Sequence, residues 1–127
     1  MTTQVIDPEL EGIESLWTDG LSEAYAAYLK AVGGHPRIAQ PKLALAAALV
    51  EVGIGLQGLG GRAAPPPLLL MGDLCLARSS RLLAGAAPQS VQIAFATAIE
   101  TLALAAAAGS PTPAVRELLL DALKADR

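Results

Sequence analysis

The chain has 127 residues, of which 53% are hydrophobic, only 3% aromatic and 17% charged, with a net charge of −3. That length predicts one domain, residues 1–127, able to close a core without staples, and its apolar content is mainly Ala and Leu, the strongest helix formers. An acidic balance with no basic stripe argues against nucleic acid as a partner. A single Cys and a single His leave no internal disulfide and no structural zinc site within one chain. These features predict an all-α protein, a compact orthogonal or antiparallel bundle of about five to six helices.

The chain opens on an acidic, polar stretch that does not read as a signal peptide. Asp7-Pro8-Glu9 reads as a helix start, since Asp caps free amides, Pro fits the first turn and Glu suits the dipole. Leu10, Ile13 and Trp17 then share one face, and Thr18-Asp19-Gly20 predicts a break or bend. A second segment over 21–32 places Leu21, Tyr25, Tyr28, Leu29 and Val32 on one stripe. Gly33-Gly34 ends it, and Pro36 prevents its resumption. His35, between Gly34 and Pro36, reads as a solvated loop side chain.

Pro41 predicts the start of a helix running toward Gly60, apolar nearly all round at first and so buried on most sides. Gly53, Gly55, Gly58, Gly60 and Gly61 weaken it progressively, and the Pro-rich run 60–67 reads as a loop. The next helix covers 68–85, apolar all round as far as Asp73. Cys75 inside it reads as a buried thiol rather than a nucleophile. Pro88 opens a helix to about Ala108, with Val91, Phe95, Ile99 and Leu102 inward, and Gly109-Ser110-Pro111 stops it. The last helix is predicted to be capped by Thr112, with Pro113 at its first position. Val115, Leu118, Leu119, Ala122 and Leu123 form its inner face, with Lys124 and Arg127 at the negative end.

Mean hydropathy is high, at +0.46. The longest charge-free stretch, 82–99, is interrupted by Gly85, Pro88, Gln89, Ser90 and Gln92. It therefore predicts a core helix preceded by a loop rather than a transmembrane segment, and the chain reads as cytoplasmic. So much apolar surface on a short chain also suits a face kept for a partner.

Gly53-Ile54-Gly55-Leu56-Gln57-Gly58 spells the dinucleotide fingerprint, with Asp73 at a plausible distance. The fingerprint needs a preceding strand and a following helix. Here helix formers precede it and a Pro-rich loop follows, so a glycine-notched helix packed against a neighbour is the better reading. Acids crowd the two ends, and between residues 24 and 116 only Glu51, Asp73 and Glu100 remain. No Ser/His/acid or Cys/His set can be assembled, and no cofactor or catalytic residue is assigned.

The helix carrying Leu69, Leu70, Gly72, Asp73, Leu76, Ala77, Arg78, Leu82 and Leu83 resembles the glycine–aspartate helix of the trans-isoprenyl (polyprenyl) diphosphate synthases. Pro88, Val91, Phe95, Ala98, Ile99 and Glu100 are similar to that family's next helix, and Val50-Glu51 to a preceding one. The likeness covers roughly residues 42–105. It implies part of the isoprenoid synthase fold, with Glu51, Gly72, Asp73 and Arg78 as structural or interface signature positions. Where the family's first aspartate-rich motif holds magnesium, Gly61 and Arg62 stand here, and neither supplies an oxygen ligand. The family's Arg-Arg-Gly loop is missing, His35-Pro36-Arg37 offers no clear diphosphate-binding segment, and a second aspartate-rich motif has no counterpart.

The resemblance therefore implies a degenerate short form: no metal, no enzyme activity of its own, and a place in isoprenoid biosynthesis as a non-catalytic subunit. Its partner would be a catalytic prenyl diphosphate synthase chain, or a second copy in a homodimer, and chain elongation would be supported or tuned by the association. A free-standing helical protein binding an apolar, isoprenoid-like ligand is an alternative, and an orphan structural domain another.

Overall fold

The computed structural model describes residues 10–57, 66–111 and 113–125. Within them the chain forms five α-helices: α1 (Ser22–Leu29), α2 (Gln40–Gln57), α3 (Pro66–Ala86), α4 (Gln89–Ala108) and α5 (Val115–Leu123). No strand occurs among the described residues. The all-α expectation holds.

The helix expected to carry Leu10, Ile13 and Trp17 is not continuous. Gly12 adopts φ +87°, a left-handed conformation that breaks helical hydrogen bonding and that side chains rarely tolerate. A short 3₁₀ turn, Glu14–Leu16, follows, and its Glu14 carboxylate accepts from the Gly12 amide at 3.0 Å. Leu10, Ile13 and Leu16 are nevertheless buried, so the segment contributes to the core without being one helix. The bend expected at Thr18-Asp19-Gly20 is present, with Gly20 at φ +110°. Asp7, Pro8 and Glu9 lie outside the described residues.

α1 is shorter than the expected span 21–32. It buries Ala24 and Tyr28, while Leu21 and Val32 flank it in the core. Leu29, expected inward, is exposed. Trp17 and Tyr25 pack at 5.7 Å between ring centroids, tilted by 49°, a favourable aromatic arrangement.

α2 is the central element. Residues 43–50 are all buried, which a helix achieves only when neighbours cover it on every side. α1 packs on it, α3 makes its most extensive contact, and α5 touches it as well. Gly53 and Gly72 face each other where α2 and α3 meet. A Cβ on Gly72 would lie 3.0 Å from the Gly53 carbonyl oxygen and 2.7 Å from Gln57 Cγ. One on Gly53 would lie 3.1 Å from the Gly72 oxygen. Gly53 and Gly55 of the fingerprint-like run thus sit inside α2, and Gly53 is the notch that admits α3. Gly58, the last of them, lies outside the described residues.

α3 and α4 are joined by a short turn. There the Gln92 Nε2 amide donates to the Ala87 carbonyl at 3.0 Å, and the Val91 amide donates to Pro88. Leu82, Leu83, Cys75 and Ser79 are buried on α3, and Val91, Phe95, Ala98 and Leu102 on α4. The N-terminal part of α3 departs from expectation: Leu68 and Leu70 are exposed rather than covered all round. α4 ends at Gly109, whose neighbour Ser110 donates its amide to Ala105 at 2.9 Å. α5 begins at Val115 with Ala114 flanking it, so Pro113 lies before the helix and not at its first position. Thr112 and Arg127 lie outside the described residues.

Candidate interaction surface

One polar cluster ties the bundle together. Glu51 lies on α2 just past its fully buried stretch 43–50, its side chain 26% exposed, and a carboxylate so far withdrawn from water is costly unless it is paired and hydrogen-bonded. Arg116, at the start of α5, supplies that pairing. Its Nε donates to Glu51 Oε1 at 3.0 Å and its Nη2 to Oε2 at 2.9 Å. The same guanidinium grips Glu23 of α1, with Nη1 on Oε2 at 2.9 Å and Nη2 on Oε1 at 2.8 Å. The Tyr28 hydroxyl donates to Glu51 Oε1 at 2.7 Å, and Arg116 lies 5.8 Å from the Tyr28 ring centroid.

Every charge in this cluster has a partner. Hydrogen bonds to Glu23 and Glu51 push the Arg116 pKa up. The Arg116 hydrogen bond holds the Glu23 carboxyl below its usual range. Burial, reinforced by the bond to Glu51, pushes the Tyr28 phenol up. A carboxylate that already accepts three hydrogen bonds and an always-protonated arginine are poor proton-transfer agents. The cluster clamps α1, α2 and α5.

A second clamp secures the other end of α5. His35, expected in solvent, is 6% exposed, and its Nε2 lies 2.6 Å from the Leu123 carbonyl oxygen. A carbonyl only accepts, so Nε2 carries the proton. The His35 carbonyl in turn accepts from Gln40 Nε2 at 2.9 Å.

The four signature positions therefore do not form one site. Glu51 faces α1 and α5. Gly72 is the close-contact residue against Gly53, and the exposed Asp73 accepts a hydrogen bond from Gln57 Nε2. Arg78 is half-buried on α3, the same helix as Cys75, whose thiol burial pushes up to about 11. Gly61 and Arg62 lie outside the described residues. Among the described residues no three His, Cys, Asp or Glu side chains come together as a metal site would require.

The surface of α4 offers more. Val91, Phe95, Ala98 and Leu102 point inward, yet the opposite side is also largely apolar, with Thr97 and Glu100 as its polar members. Ile93, Ala96, Thr97, Glu100, Ala103, Leu104 and Ala107 recur at helical spacing, and all are exposed. Ile93 is 57% and Leu104 64% exposed. The helix was expected to be core. Instead its most apolar 18-residue window, of mean hydropathy 1.6, is only 22% buried, and by length and composition α4 could cross a membrane. Beside this stripe runs an open groove of about 290 Å³ between α4 and α5, lined in part by Thr97, Thr101, Leu118 and Asp121. Ser79, Leu83, Phe95 and Ile99 border a smaller groove between α3 and α4.

Val91, Phe95 and Leu102 were placed inward by sequence reasoning, as they are, but the exposed stripe was not singled out, because Ala and Leu recur on both sides of α4. No protein family model matches the chain, and neither a characterised protein nor a solved structure gives a significant match.

Proposed function

We propose that this chain acts by association, as a non-catalytic helical subunit that docks on a catalytic polyprenyl diphosphate synthase chain and supports or tunes its chain elongation. The observation that carries the association is the outer stripe of α4, where Ile93 and Leu104 stand more than half exposed on a long apolar helix that is buried on its inner side alone. Leaving such surface in water is unfavourable by about 25 cal/mol per Å², and a partner removes the cost. The class of partner rests on the resemblance of the segments around Gly72-Asp73 and Pro88–Glu100 to the synthase helices. The polar cluster supports a structural part for Glu51, whose carboxylate is occupied by Arg116 and Tyr28.

An apolar ligand as the main client is less well supported. The grooves beside α4 and the notch of about 330 Å³ bordered by Pro36, Ile38, Lys42 and Gly85 are open to the surface. Such shapes suit the side chains of another helix better than they enclose a long apolar tail. Co-expression with a trans-prenyl synthase chain from the same source tests the reading. A stable heteromer with altered product length or yield is expected, and a synthase that neither binds nor responds contradicts it.

A further inference from the structure

The outer stripe of α4 carries one charge, and that charge discriminates among the surfaces that could cover it. Glu100 sits at the middle of the stripe, one turn from Ala96 and Thr97 on one side and from Ala103 and Leu104 on the other. It is exposed, and none of the described residues gives it a hydrogen bond or an ion pair. It is also the only charged residue of α4, and the one charged side chain lining the adjoining α4–α5 groove is another acid, Asp121.

Three occupants would meet that carboxylate differently. A lipid bilayer would place Glu100 at the depth of Ile93 and Leu104, in hydrocarbon, where a carboxylate is among the costliest groups to bury. A two-fold pairing of this stripe with a second copy would bring acid toward acid, since an isologous interface matches a patch with itself and this patch holds no base. A helix with small apolar residues around one central Lys or Arg would cover the alanines closely and neutralise the carboxylate in a partly dehydrated setting.

We infer that the α4 stripe is a docking site for a basic-centred helix of another protein, with Glu100 as the residue that selects it over a second copy and over lipid. The inference rests on the association reading and sharpens it by stating the chemistry of the partner's contacting helix. Ala96, Ala103 and Ala107 permit close helix approach, Ile93 and Leu104 supply the apolar anchors, and Glu100 fixes register.

The test uses the full chain and three labelled synthetic helices that share an Ala/Leu face and differ only in a central Arg, Gln or Glu. Fluorescence anisotropy should show the Arg helix binding about fivefold or more tighter than the Gln helix, with the Glu helix weakest. Glu100→Gln should abolish the preference, and Glu100→Arg should invert it toward the Glu helix. Position 100 is solvent-exposed, and circular dichroism confirms the fold of each variant. Equal binding of the three helices, or none at millimolar peptide, overturns the inference. So does concentration-dependent self-association in sedimentation velocity that Ile93→Glu removes, or flotation of the chain with phosphatidylcholine vesicles. Failure here and failure of the synthase reading are separable. A synthase complex indifferent to Glu100→Arg sinks only this inference, whereas selective peptide binding without any synthase complex sinks only the other.

Discussion

Arg116 reaches back 65 positions to hold both carboxylate oxygens of Glu51, at 3.0 and 2.9 Å, while the same guanidinium closes on Glu23. Because one planar group serves two carboxylates, α5 is fixed to α1 and α2 by a single side chain. Arg116→Ala strands Glu51 beside the core with only Tyr28 as donor. Urea unfolding of this variant is expected to show a loss of about 2–4 kcal/mol. Arg116→Lys should recover less than half of it, since an ammonium cannot make two paired contacts.

The shifted groups give the stability profile two limbs of opposite sign. Hydrogen bonding to Arg116 depresses the folded-state pKa of Glu23 below its ordinary 4.5. Its contribution is therefore present above that pH and lost as pH falls through the lowered value. Burial raises Cys75 from 9.0 to about 11, and Tyr28 is raised above 10.0. Their contributions are complete below those ordinary values and disappear as pH rises through the folded ones. Thermal unfolding across pH should show a shallower acid limb in Glu23→Gln and a shallower limb above pH 9 in Cys75→Ala.

Two glycines in neighbouring helices should respond in opposite directions to the same change. Gly72→Ala forces a methyl to 3.0 Å from the Gly53 carbonyl and 2.7 Å from Gln57 Cγ, and it should cost about 1–3 kcal/mol. Gly55→Ala meets nothing within 4 Å on an exposed part of α2. It should stabilise by about 0.5–1 kcal/mol through helix propensity. Melting temperatures of the two variants check the pair.

His35→Ala leaves the Leu123 carbonyl without its buried partner and should cost about 1–3 kcal/mol. Hydrogen exchange localises the effect: amides of α5 should exchange faster than those of α2. The nitrogen spectrum of the wild-type ring should show the proton on Nε2.

Helices α2 to α5 were legible because glycine and proline punctuate their ends and Ala/Leu runs fill their interiors. The inward stripe Val91, Phe95, Ile99 and Leu102 was legible from helical spacing, and all but the half-buried Ile99 are buried. The start of the chain was not, because a left-handed Gly12 is invisible to a pattern that counts apolar spacing. Leu29 was placed inward by periodicity and Leu70 lay in a stretch read as covered all round, but no neighbouring helix covers either. The Arg116 clamp joins residues 65 and 93 positions apart, and no local signal joins such distant residues. The one hint was a solitary Glu51 in an apolar helix, which implies a cation somewhere in the fold. His35 was misread because a Gly-His-Pro turn resembles a solvated loop until α5 packs over it.

The most direct measurement of the association account is the mass of the co-expressed pair with and without charges placed on α4. The wild-type chain and a trans-prenyl synthase chain should co-elute as one heteromer in light scattering. Ile93→Glu with Leu104→Glu should release the synthase while circular dichroism stays unchanged, because both side chains are already more than half exposed. A heteromer that survives both substitutions, or a wild-type chain that elutes apart from the synthase, would contradict the account.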